Sequence, residues 1–163
     1  MTNRTKLTAR WLKKMGACTS KEDNKRAEEI GDVRKVCKAL LKANRWDDAN
    51  WLLTRKMQRM DCIRYALYAA KKVLPMFEEQ YPADDRPRKA IKVVEAYLKH
   101  PTEENKKKCE AAGDAAWAAA NATNAANYAA NYAADAADAA ELKPKIIAYG
   151  LKLLYGGEDN EQN

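Results

Sequence analysis

The chain has 163 residues, enough to bury a core, and carries 30 Lys and Arg against 23 Asp and Glu, a net charge of +7. One His and four scattered Cys leave no closely spaced zinc set. A Ser–His–Asp triad would have to join Ser20, in a helix-cap pattern, to His100 beside Pro101. No phosphate loop or dinucleotide glycine motif occurs, so binding rather than catalysis is expected, with no metal and no cofactor.

No apolar run reaches the ~18 residues of a membrane span, and the N-terminus (Arg4, Lys6, Arg10, Lys13, Lys14) lacks the apolar stretch of an export signal. A cytoplasmic protein is expected, with Cys18, Cys37, Cys62 and Cys109 as reduced, mostly core thiols. Charge is uneven: residues 1–108 hold 27 basic and 15 acidic side chains, residues 109–163 hold 3 and 8.

Few Gly and Pro, abundant Ala, Lys, Glu, Leu and Arg, and no strand-like alternation predict an all-α fold. We expect a single-domain bundle of about six to seven helices over 1–157 and a disordered acidic tail over 158–163. The first helix is expected from about Thr5 to Met15, with Leu7, Trp11, Leu12 and Met15 on one face and Gly16 as terminator. The second opens at Thr19 or Ser20 and carries Ala27, Ile30, Val33, Cys37, Leu40 and Leu41, with Gly31 placed to divide it. The third covers about Asp47 to Arg59. The fourth, capped by Asp61, should kink or restart near Val73 because Pro75 lacks an N–H.

Tyr81 to Asp85 reads as a turn. Asp85 is expected to cap a helix with Pro87 in its first turn and Pro101 at its end, and Thr102 to cap the next. From Cys109 to Ala140 more than half the residues are Ala, giving a long Ala-rich helix with a small-residue seam and an opposing row of Asn, Asp, Trp117 and Tyr128. A second copy packing on that seam would make a homo-oligomer. The last helix is expected from Pro144 to Tyr155, burying Ile146, Ile147, Leu151 and Leu154 before Gly156-Gly157.

Two constellations carry binding chemistry. Asn50 and Trp51 are followed by Arg55, Arg59 and Arg64, joining an aromatic stacking face to planar guanidinium forks that take carboxylates or phosphates in paired hydrogen bonds. Core Trp residues with Arg paired to Asp47, Asp48 and Asp61 explain the same pattern. Asp84-Asp85-Arg86-Pro87-Arg88 sets an Arg pair at a helix N-terminus, where an anion site forms readily. A brace for the turn, one Arg bonding through Asp84, is the competing explanation. Acids interleave with the bases along the helices, so nucleic-acid binding is not expected.

The run from Asn50-Trp51-Leu52-Leu53 through Arg64-Tyr65-Ala66, Phe77-Glu78 and Tyr81-Pro82-Ala83-Asp84-Asp85-Arg86-Pro87-Arg88-Lys89-Ala90-Ile91 to the paired alanines with Trp117 resembles the fifth family of immunity proteins of bacterial polymorphic-toxin systems, over roughly residues 45–140. Such proteins also occur in phage genomes. The resemblance implies an all-α, non-enzymatic protein that neutralises something by binding it, and carries over Asn50, Trp51, Arg55, Arg64, Asp84, Arg86, Pro87 and Arg88 as matching positions. Two forms stay open: an antagonist docked on a toxin or defence effector protein, and a sponge that holds a small anionic nucleotide signal between Arg forks and a Trp or Tyr. A net basic chain suits an acidic or mixed protein partner.

Overall fold

The computed structural model of the protein describes residues 4–17, 19–111 and 135–156. Their regular structure is helical, apart from one antiparallel bridge between Lys6 and Asp32. In chain order the helices are α1 (Ala9–Lys14), α2 (Lys21–Ile30), α3 (Val33–Lys42), α4 (Trp46–Lys56), α5 (Arg59–Gln80), α6 (Arg86–Lys99), α7 (103–111) and α8 (Asp135–Leu154). The all-α expectation holds. The longest described helix is α5, of 22 residues. The Ala-rich stretch is helical at 109–111 and again from Asp135; 112–134, with the Ala seam and Asn row, and the tail at 158–163 lie outside the described residues.

Local chemistry sets the boundaries. Thr8 accepts the Trp11 N–H at 3.1 Å, so α1 starts later than Thr5. Thr5 to Leu7 instead run beside Gly31 to Val33: Leu7 N donates to Gly31 O and Val33 N to Thr5 O, both at 3.0 Å. Ser20 caps α2 through the Asp23 N–H at 3.0 Å. Gly31, at φ 68°, ends α2 where a side chain would be strained, and Asp32 caps α3 through the Lys35 N–H at 3.0 Å. The division at Gly31 is as the sequence predicts.

Two helix ends close in the same way. After α1, Ala17 N bonds Leu12 O and Gly16 N bonds Lys13 O; after α3, Arg45 N bonds Leu40 O and Asn44 N bonds Leu41 O. Both are Schellman turns, with Gly16 at φ 73° and Asn44 at φ 54° in the left-handed position.

Expected boundaries differ at four residues. Asp61 lies inside the first turn of α5 and pairs with Arg4 at 3.2 Å instead of capping. Asp85 occupies the N-cap position of α6 without a capping bond; Asp84 Oδ1 takes the Arg86 N–H at 3.1 Å, and Asp85 pairs with Lys89 at 2.9 Å. Pro75 and Pro144 both lie inside unbroken helices, neither restarting one nor opening one. Both prolines are exposed, so water can reach the carbonyl each leaves without its helical N–H partner.

The chain divides into two compact units, Met1–Cys62 with Lys143–Asn163, and Ile63–Leu142. The first holds the core: Leu7, Leu12, Val33, Val36, Cys37, Ala49, Leu52, Leu53, Ile147, Leu151 and Leu154 form one buried cluster. The end of α8 is tied in by a polar clasp. The Tyr155 hydroxyl donates to Asp32 Oδ2 at 2.8 Å and accepts the Arg34 N–H at 3.1 Å, while the Arg34 guanidinium stacks over the ring at 4.3 Å. Burial first, with the Asp32 carboxylate adding to it, pushes the Tyr155 hydroxyl up to about 12. Cys37 is a core residue whose thiol burial pushes to about 12, far from the thiolate a nucleophile needs; Cys62 and Cys109 are half-buried, and Cys18 lies outside the described residues.

In the second unit only Tyr65 is buried among the described residues. Its helices are bridged by ion pairs (Lys71 with Glu95, Arg88 with Glu78) and by the Cys109 thiol against Val93 O at 3.5 Å.

Candidate functional site

The first constellation lies on α4, whose first turn carries Asp47 and Asp48 where the helix dipole favours them. Asn50 is half-buried, and its carbonyl accepts the Thr54 hydroxyl at 3.0 Å. Trp51 is half-buried and held on two sides. Trp11 meets it edge-on at 6.4 Å between ring centroids, and the exposed Arg55 guanidinium lies over it at 5.9 Å. Lys56 extends the stack, 3.9 Å from the Trp11 ring centre, and donates to Lys6 O at 2.6 Å; burial lowers its pKa. Asp48 and Asp61, the carboxylates expected near these bases, pair with Arg45 (2.6 Å) and Arg4 (3.2 Å).

The second constellation lies in the other unit. Arg86 grips Asp84 with Nε at 2.7 Å and Nη2 at 2.5 Å. Arg88 grips Glu78 with the same two nitrogens, each at 2.6 Å. These bonds hold the Asp84 carboxyl down at about 2 and raise both guanidinium pKa values. Each fork faces a carboxylate, as a brace for the turn between α5 and α6 requires. Arg64 is exposed on α5. Asn50, Trp51 and Arg55 therefore sit together on α4, Asp84 and Arg86 form one pair, and Arg88 belongs to another.

The sequence did not point to a concavity in the first unit. A groove of about 400 Å³ runs between α2 and α3, with α4 and the turn after α1 at its sides. Asp23, Arg26, Ala27 and Ile30 of α2 and Val36, Ala39, Leu40 and Ala43 at the α3 side repeat at steps of three and four, so two stripes of about two turns face the groove. Its lining is mainly apolar. The Schellman turns deliver Ala17 and Arg45 to it, and Trp51 and Leu52 close one side.

The groove exists because its walls are short of side chain. Along α2 the only apolar residues are Ala27 and Ile30, and the helix buries no residue, while the α3 side presents Val36 and Leu40 alternating with the small Ala39 and Ala43. The legible signal was that sparse stripe on α2, which cannot fill the space opposite α3. At the rim Arg45 is bracketed by Asp48 at 2.6 Å and Asp23 at 3.3 Å; among the described residues Arg26 and Asp47 have no partner. Among the described residues, no helix is long and apolar enough to cross a membrane, and no three His, Cys, Asp or Glu side chains gather as a metal site.

An all-α chain with a stacked Trp–Arg pair, carboxylate-bound Arg forks and an apolar groove has the equipment of a helical binding protein. Residues 52–162 match the family described as "Imm-5 like putative immunity protein", and the chain belongs to that family. The match runs through α8 and starts at the last residue lining the groove, so the rest of that lining precedes it. No curated protein and no solved structure matches the chain.

Proposed function

We propose that this protein is a non-enzymatic antagonist that neutralises a toxin or defence effector protein by binding it. Membership of an immunity family supports a neutralising binder. The state of the arginines favours a protein target over a nucleotide. Arg86 and Arg88 each spend a bidentate fork on a carboxylate, so a phosphate would have to displace Asp84 or Glu78 before it could be held. A half-buried Trp51 clasped by Trp11 and Arg55 is instead the rigid aromatic-with-Arg anchor on which protein interfaces concentrate their binding energy.

The test is rescue in bacteria that express, one at a time, a panel of toxin domains from polymorphic-toxin loci. Growth is expected to be restored against one domain, with a stoichiometric complex on native mass spectrometry that weakens when Trp51→Ala is introduced. Tight binding of a cyclic dinucleotide by calorimetry, lost in an Arg86→Ala/Arg88→Ala variant, with no toxin complex, would establish the sponge and overturn the antagonist.

A further inference from the structure

We infer that the groove between α2 and α3 is a docking site for one amphipathic helix of the neutralised protein, a helix that carries charges of both signs. The inference rests on the antagonist reading but is narrower than it.

The shape selects a helix. The two facing stripes each repeat at the spacing of a helix surface, Arg26, Ala27 and Ile30 on one side and Val36, Ala39 and Leu40 on the other. Over two turns they make a trough about 10 Å long. A third helix seats its own i, i+3, i+4 and i+7 side chains between such rows, as helices do when they pack. The small residues Ala27, Ala39 and Ala43 supply the holes that large apolar knobs would fill, and Ala39 and Ala43 are exposed to whatever approaches. The trough is about half open to solvent.

The rim selects the charge. Arg45 is shared by Asp23 and Asp48, a trio of net charge −1, and Asp47 on α4 and Arg26 on α2 are the two lining charges with no partner among the described residues. One carboxylate and one guanidinium on an apolar trough match a helix with a base and an acid flanking its apolar face. Trp51, fixed by Trp11 and Arg55, stands at the edge as a preorganised wall.

The experiment uses the full chain and three fluorescein-labelled synthetic helices. They share the same Leu face and differ in their flanking charges: one Lys with one Glu, all Lys, or all Glu. Fluorescence anisotropy is expected to rank the mixed helix first. Asp47→Lys makes both free charges positive, so the all-Glu helix should gain about tenfold over the mixed one; Arg26→Glu should favour the all-Lys helix equally. Ala39→Phe and Ala27→Phe, checked for native helicity by circular dichroism, should each fill the trough and cut binding of every helix at least about tenfold.

No binding by any helix, binding indifferent to Ala39→Phe, or a charge ranking that the variants leave unchanged would overturn the inference. So would uptake of an apolar dye without any helix, or a concentration-dependent mass lost in Ala39→Phe, which would give the trough to a small molecule or to a second copy. The parent reading is scored separately. If toxin rescue persists in Ala39→Phe, the antagonist stands and this docking site falls; if the helices bind as expected but no toxin is rescued, the trough stands and the antagonist reading falls.

Discussion

The first unit closes an apolar core around Leu53, Val33, Cys37 and Ile147, all fully buried, and then leaves an apolar groove beside it. The second, among its described residues, buries only Tyr65 and bridges its helices with surface ion pairs. Stability in the first comes from desolvated area, which is worth about 25 cal/mol per Å² and cannot be swapped residue by residue. Exposed ion pairs contribute little, because water already solvates the separated charges and long side chains lose freedom on pairing. The paired arginines of the second unit are thus better read as geometry, fixing how α6 leaves its turn, than as a store of stability. The apolar groove beside that core is the surface that the proposed docking would cover.

Substitutions can break this comparison. Leu53→Ala should have the largest effect, a loss of about 2–5 kcal/mol, because it opens a fully buried cavity in the core. Urea unfolding followed by Trp fluorescence reads it well, since Trp11, Trp46 and Trp51 all belong to the first unit. Tyr155→Phe should cost about 1–2 kcal/mol by the same measurement, since it leaves buried Asp32 without one of its donors and the Arg34 N–H without its acceptor. A cost near zero would mean that the clasp does not hold α8 in place.

The thiol of Cys37 gives the comparison a pH axis. Its folded value, about 12, lies above the ordinary 9.0. The stability it contributes is therefore complete below pH 9 and is lost as pH rises toward 12. Alkaline unfolding should begin later in Cys37→Ala, and iodoacetamide should label Cys37 only when the chain is unfolded. The smallest effect is expected in the second unit, where Arg88→Ala should leave the urea midpoint unchanged. Asp84 sharpens the point. Its carboxyl is held at about 2 by Arg86, so what that pair contributes is present above the ordinary 3.8 and disappears as pH falls toward 2. Carbon-13 NMR of Asp84 should show this low midpoint in the native chain and a normal one in Arg86→Gln.

Much of the fold was legible where local rules and tertiary packing agree. The apolar spacing of Ile146, Ile147, Leu151 and Leu154 marked a buried face, and all four are buried. Ser20 and Gly31 bounded α2 as capping chemistry requires. The helix continues through Pro75 and Pro144 because both face water, where one missing N–H is tolerable, and exposure is not legible from a proline's place in the sequence. Trp51 and Arg55 were legible as a pair because they share one helix turn and stack. The groove was not, since a concavity is set by the side chains missing between two helices, and periodicity reports only those present. Only the poverty of α2, with Ala27 and Ile30 for its whole apolar stripe, hinted at the space.

The most direct test of neutralisation by protein docking is native mass spectrometry of this chain co-expressed with the toxin domain it rescues. A stoichiometric complex is predicted, weakened by Trp51→Ala and by Ala39→Phe. Rescue without any complex, with the chain instead carrying a bound nucleotide, would contradict the account.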